Sequence, residues 1–342
     1  MARDRTARVR KQAPGNGVRR AAETAPRAGG QAEASGLPRR RGPVVALSVL
    51  AGALIAALWS FRFVDGVIGD NVANTLLGYD AKHTQIGGLI AGTVFAFVSG
   101  LAGTFTACNI AVFGAIAPMT DASGTRPSGD AGAARPVRIG ETLRPIGRLA
   151  IGMVAVSGVY GAVGAVLGER LPQLSTATAA SGLSPRLAQA SITFGVIGLA
   201  FVYLGLAALR LAPDPLARLS RRFPDARLVV IGALIGGFLV GRPFPLFRKL
   251  FEYAAQTHNP FYGAAVFVLQ SLGNITLMAL LFVVLTRAAG GRFTRWMTAG
   301  PARVTTITAV AFIVVGAFTF LYWDVRLPAR FGYGWFPTAP WE

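Results

Sequence analysis

Ile86-Gly87-Gly88-Leu89-Ile90-Ala91-Gly92 returns 145 residues later as Ile231-Gly232-Ala233-Leu234-Ile235-Gly236-Gly237, with five of seven positions identical. Both copies open long apolar stretches, and both stretches are then broken by unusual residues. The first break is Ser99-Gly100, followed by Gly103-Thr104-Phe105-Thr106-Ala107-Cys108-Asn109, and the second is Gly241-Arg242-Pro243-Phe244-Pro245. A repeat of this kind in a membrane protein predicts two structural halves facing each other across a central site.

The surrounding composition agrees. The 342 residues are 53% hydrophobic and only 14% charged, with a mean hydropathy of +0.50, which fits a polytopic membrane protein better than a soluble enzyme. The net charge of +19 is not read as a nucleic-acid footprint, because the basic residues are sorted by loop as membrane topology sorts them. The only lysines are Lys11, Lys82 and Lys249, and this Arg bias with heavy Ala and Gly usage reads as a high-GC bacterial coding habit. A single cysteine, Cys108, excludes an intrachain disulfide and a cysteine metal cluster. Two histidines, His83 and His258, are too few for a zinc site on their own. No cofactor is expected.

Residues 1–42 carry eleven Arg or Lys against three acids and lack an apolar period, so a disordered basic cytoplasmic tail is expected. The apolar run 43–64 reads as an uncleaved signal-anchor helix rather than a cleaved signal. Six further helices are expected at about 84–119, 146–168, 189–211, 228–247, 261–286 and 303–323, for an all-α fold with seven transmembrane helices. With the tail inside, the inner segments hold 25 basic residues and the outer segments nine. The positive-inside rule therefore puts the N-terminus in the cytoplasm of a bacterial plasma membrane and the tail 324–342 outside. Tyr322, Trp323, Trp335 and Trp341 are expected in an interfacial belt, and the basic tail against anionic lipid.

Two stretches exceed one straight helix. Residues 84–119 number 36, and 228–260 number 33, whereas about 20 residues cross the membrane core. Each is expected to be a helix, an irregular break and a second piece, with the break facing the interior because bare backbone does not survive in lipid. Under the charge-derived topology the two stretches enter from opposite sides. Units 84–211 and 228–323 then form a 3+3 inverted repeat, with the first helix added on.

These residues carry a family resemblance. Ala91-Gly92-Thr93-Val94-Phe95-Ala96-Phe97-Val98-Ser99-Gly100 and Gly241-Arg242-Pro243-Phe244 resemble the paired broken-helix motifs of the CcdA/DsbD family, the cytochrome c biogenesis transmembrane region, which belongs to a wider group with LysE-type transporters. The resemblance covers about residues 84–323. It implies a thiol relay through one cysteine per repeat, but Gly100 and Phe244 stand at or beside those places and Cys108 lies about eight residues further on. The scaffold is kept and the relay is lost, which implies a derived role.

Arg242 falls about 14 residues into its helix, roughly 21 Å from the inner end. A membrane-embedded Arg costs at least ~2.5–3.5 kcal/mol unless it is paired or hydrated. It either snorkels to the outer interface or lines a cavity and holds an anion, and Pro243 and Pro245 beside it free backbone groups in favour of the second. Gln270 and Asn274 lie four apart on one helical face with Ser271 and Thr276 nearby, and either bond between helices or line a solute path. Thr104, Thr106 and Asn109 form the matching polar patch of the first half. Cys108 is either a small buried apolar residue or a reactive thiol. Asp65, Asp70, Asp80 and His83 read as a solvated loop before a metal site. The Gly158, Gly161, Gly164, Gly168 series and Gly237-x-x-x-Gly241 read as close-packing surfaces.

No phosphate loop, nucleophile elbow, paired carboxylates or H-E-x-x-H motif occurs, so an enzyme is not expected. The leading expectation is a carrier of a small anionic, sulfur- or metal-containing solute, with Ser99, Gly100, Arg242, Pro243, Pro245, Gln270 and Asn274 at its binding site. The rivals are a maturation partner that uses Cys108 against a thioredoxin-like protein, and a non-catalytic assembly scaffold.

Overall fold

Long runs of Ala, Leu, Ile, Val and Phe with few charges satisfy their backbone groups best by local bonding, and every regular element described is helical. The computed structural model describes residues 40–60, 62–104, 139–175, 184–242, 244–288 and 301–340. In chain order the elements are α1 (Arg41–Leu58), a widely wound stretch Arg62–Gly69, α2 (Asp70–Leu77), α3 (Leu89–Gly103), α4 (Ile139–Leu167), α5 (Pro185–Ala208), α6 (Ala217–Arg222), α7 (Ala226–Gly241), α8 (Pro245–Thr257), α9 (Pro260–Ala288), α10 (Pro301–Phe320) and α11 (Leu327–Arg330). Among the described residues five helices are long and apolar enough to cross a membrane, or six if the bent pair α7–α8 is one span. That is the build of a multi-pass membrane protein. Exposed Leu50, Leu54, Ile151, Val159, Ile192 and Val196 give the bundle an apolar outer surface suited to lipid.

Side-chain contacts fix the helix directions. Tyr262 donates to the Leu89 carbonyl and Thr104 to the Asn274 side chain, so α3 and α9 run parallel. Arg148 pairs with Asp225 and Tyr160 donates to the Val240 carbonyl, so α4 and α7 run parallel. Ser157 meets Ser271, and Gly161 lies against Gly263, so α4 and α9 are antiparallel. Gly198 lies against Gly316 while Ser191 donates to the Trp323 carbonyl, so α5 and α10 are antiparallel as well. Gly241 beside Phe194 and Gly237 beside Ile197 set α5 against α7. Arg41 donates to the Leu209 carbonyl at one end of α1, and Arg326 donates to the Ala56 carbonyl at the other. With Gly52 seated on Ala317, α1 therefore runs parallel to α10. Successive long helices thus alternate in direction from α1 to α10. Arg41, Arg148, Arg210, Arg218 and Arg227 gather at one end of the bundle.

Two helix crossings share one device. In the α3–α9 crossing, Gly100 lies on the Gln270 carbonyl and Gly273 on that of Phe97. In the α4–α7 crossing, Gly232 lies on the Leu149 carbonyl and Gly152 on that of Val229. In all four helices the glycine comes three residues after the carbonyl it trades for, and a Cβ at any of the four would overlap the facing oxygen. Small residues let helix backbones approach where lipid supplies no hydrophobic drive. Phe194, Phe201, Phe238 and Phe312 fill the core between α5, α7 and α10, while Phe95, Phe247, Phe251 and Phe267 fill it around α3, α8 and α9.

Some expectations are corrected. Ser99-Gly100 is no break: α3 runs on to Gly103, Ser99 bonds back to the Ala96 carbonyl at 2.8 Å, and Gly100 serves the crossing with α9. The heptamer copies occupy unlike settings, since Ile86-Gly87-Gly88 precede α3, with Gly88 at φ 124°, whereas 231–237 lie inside α7. Tyr322 is buried and Trp323 stacks on Phe194 at 4.3 Å, which leaves only Trp335, at 81% exposure, free among the described belt aromatics. The second break stands where it was expected: α7 ends at Gly241, α8 begins at Pro245, and the two diverge by 83°. The tail 1–39, the rest of the first stretch with Thr106, Cys108 and Asn109, Pro243, and Trp341 lie outside the described residues.

Candidate functional site

The end of α7 leaves carbonyls in search of donors, because Pro245 has no N–H and the chain turns away after Gly241. Side chains from α4, α5 and the segment between them supply those donors. Gln189 donates to the Val240 carbonyl at 2.8 Å, Tyr160 reaches the same oxygen at 3.2 Å, and Gln173 donates to the Arg242 carbonyl at 2.8 Å. Gln189 also donates to the Tyr160 hydroxyl at 2.9 Å. The break is thus fixed by a built set of polar side chains.

That fixed end aims Arg242 inward. It is 8% exposed, donates to the Gly103 carbonyl at 3.0 Å, and lies over the Phe244 and Phe247 rings at 4.9 and 4.8 Å. The rings hold the guanidinium by its face while the fork keeps its edge for hydrogen bonds.

Beneath the guanidinium is a cavity of about 30 Å³, lined by Gly100, Met153, Ser157, Ile235, Gly236, Phe238, Leu239, Arg242, Phe247, Gln270, Ser271 and Asn274. Ser157 and Ser271 lie near the midpoints of the spans Arg144–Arg170 and Pro260–Leu281, so the cavity is at the middle depth of the bundle. Gln270 is 2% exposed, and among the described residues neither its amide oxygen nor its amide nitrogen has a hydrogen-bond partner. A buried amide left so costs about 1–3 kcal/mol. Asn274 accepts from Thr104 at 2.8 Å, and Thr104 also reaches the Gly100 carbonyl at 3.2 Å.

Of the expected site residues, Gly100, Arg242, Gln270 and Asn274 come together around this space. Ser99 is buried but turned onto its own helix, and Pro245 is exposed at the first turn of α8, where its fixed φ starts the helix. Sequence reasoning missed Ser157 and Met153 in the lining, and Tyr160, Gln173 and Gln189 behind it. Isolated amides beside apolar runs were the available signal. Asp70, at the start of α2, pairs with Lys82 of the loop before α3. There His83 bonds Asp80 at 2.8 Å and holds its carboxyl below the usual range. Among the described residues no three of His, Cys, Asp and Glu come together as metal ligands do. A larger cavity of about 550 Å³ lies at the far end of α4, beside exposed Glu169, Arg170 and His258.

No family model, curated protein or solved structure matches this chain.

Proposed function

We propose that the protein is a carrier of a small solute across a bacterial plasma membrane, working on a scaffold like that of the CcdA/DsbD and LysE-type group without its redox cysteines. Units 84–211 and 228–323 act as a 3+3 inverted repeat, with α1 as a seventh, added span. The N-terminus is cytoplasmic, because the helix end that gathers Arg41, Arg148, Arg210, Arg218 and Arg227 takes the inner side.

Reciprocal glycine crossings support the repeat. The pairs Gly100/Gly273 and Gly232/Gly152 correspond when α3 is matched to α7 and α9 to α4, and the paired helices α3 and α7 run oppositely. The Thr104–Asn274 contact then corresponds to Gly236 against Met153. Both contacts border the same cavity, so the axis of the proposed repeat passes close to it.

One observation carries the reading: Arg242 and the unpartnered Gln270 amide meet at a mid-depth cavity between opposed repeats. Transporters of this build bind solute at the repeat interface near the bilayer midplane, beside interrupted helices. The test is uptake into cells or proteoliposomes by Arg242→Lys and Arg242→Gln at matched protein level. Both variants should lose uptake, because lysine has no fork with which to hold Gly103 and a solute at once. If Arg242→Lys matches the parent and Arg242→Gln merely lowers protein level, Arg242 is an anchor and the assignment fails.

A further inference from the structure

We infer that Phe251 of α8 is a gate: with Tyr160 and Phe267 it closes the way between the mid-depth cavity and the larger cavity at the far end of α4, and α8 carries it aside. The inference rests on the carrier reading for its purpose, and on side-chain contacts for its place.

The two cavities share two walls. The one of about 30 Å³ is lined by Met153 and Ser157 of α4 and by Phe247 of α8. The one of about 550 Å³ is lined by Val166 and Leu167 of α4 and by Glu252, Ala255 and Gln256 of α8. Between these levels lie Tyr160 and Gly164 on one helix and Leu250 and Phe251 on the other. Phe251 is 2% exposed, with its ring 5.0 Å from that of Tyr160 and 4.6 Å from that of Phe267 on α9. A Cβ at Gly164 would overlap the same ring, so the missing side chain is what admits it. Polar groups stand on both sides, Ser157 on one and Glu252 with Gln256 on the other, whereas the level between presents rings. A hydrophobic constriction of this kind gates by excluding water.

Of the three rings, Phe251 is the one on a movable part. Tyr160 is bonded to the Val240 carbonyl at 3.2 Å, and Phe267 belongs to a helix of 29 residues. Helix α8 has 13 residues, too few to cross the membrane core. It is set off at both ends, with Phe244 extended before it and His258, at φ 50°, closing it. Its other face is fastened by polar bonds. Lys249 donates to the carbonyls of Ala81, Lys82 and Thr84 in the loop before α3, and Arg248 pairs with Glu252. Water can take over bonds of this sort, so releasing α8 from that loop strands no group.

Ser271→Cys in a Cys108→Ala background puts a thiol in the wall of the mid-depth cavity. Its reaction with a small, membrane-impermeant methanethiosulfonate is timed for the full chain in vesicles, with reagent on the side of His258. Phe251→Ala should speed the reaction at least tenfold, and Phe251→Leu and Lys249→Met severalfold. Phe312→Ala, which opens the core between α5 and α10 instead, should leave the rate unchanged. Parent-like rates in both Phe251→Leu and Lys249→Met, or in a Phe251→Ala protein that still melts cooperatively, overturn the inference. So does an equal gain from Phe312→Ala, which would mean general loosening. Faster labelling from this side, with none from the opposite side in any variant, keeps the gate and rejects the carrier. Labelling from both sides that is indifferent to residues 249 and 251 keeps the carrier and rejects the gate.

Discussion

Gly100 and Gly232 hold equivalent places in two separate helix crossings: each lies against a carbonyl oxygen of the helix it crosses, Gln270's in one case and Leu149's in the other. Glycine is required at both by proximity, because helical φ suits any residue there. Gly100→Ala and Gly232→Ala should each destabilise the protein by about 1–3 kcal/mol or more through overpacking. Gly147→Ala, on the open face of α4 with nothing within 4 Å, should not lower stability. Thermal melts in one detergent check all three, and a tolerated Gly232→Ala would contradict the crossing.

The bend after α7 predicts a graded series. Gln189 and Tyr160 share the Val240 carbonyl, while Gln173 donates to that of Arg242. Tyr160→Phe should cost least, because Gln189 still serves Val240. Gln173→Leu should cost most, about 1–3 kcal/mol for a buried carbonyl that loses this donor, and Gln189→Leu should fall between, since Tyr160 keeps the longer bond to Val240. Denaturation midpoints in the reverse order would mean that these side chains do not hold the break.

A second buried arginine pins the added helix. Arg326 donates to the carbonyls of Ala56 and Trp59, where α1 ends, and lies over the Tyr322 ring at 5.0 Å. Arg326→Leu should free the end of α1, speed proteolysis near residue 60 and lower the melting temperature. Arg326→Lys should recover part of the loss, since an ammonium can still reach one carbonyl. Equal digestion of parent and Arg326→Leu would remove this role.

Alternating helix directions place exposed Arg218 and His258 at opposite ends of the bundle. Cysteine at 218 should react with a membrane-impermeant maleimide only from inside, and cysteine at 258 only from outside, each in a Cys108→Ala background. Labelling of both from one side would refute the topology.

The all-helical build, the approximate limits of the long helices and the α7–α8 break were legible because each rests on local chemistry. Apolar runs must be helical in lipid, and prolines at 243 and 245 must interrupt one. The cavity was legible in part. Arg242, Gln270 and Asn274 are polar residues in apolar runs, and each costs too much there to lack a reason. Ser99-Gly100 misled because a glycine beside a serine reads the same whether it breaks a helix or admits a neighbour. The heptamer is weak evidence for a similar reason: Ile, Gly and Leu recur readily in any apolar chain, and its two copies lie in unlike settings, one running into the start of α3 and the other inside α7. Gln173 and Gln189 showed in the sequence only as isolated amides beside apolar runs, and their role, like that of Tyr160, could not be read there because it depends on carbonyls distant in the chain.

If the protein is the carrier proposed above, its mid-depth cavity must open in turn to the two sides of the membrane. Ser271→Cys, in a Cys108→Ala background, places a thiol in the cavity wall at the middle of α9. Its reaction with a membrane-impermeant maleimide, measured separately from the inside and the outside of oriented vesicles, gives the most direct reading. The account predicts reaction from both sides, with Arg242→Gln altering the balance between them. Reaction from one side only under every condition, or from neither while a loop cysteine on each side labels fully, would contradict it.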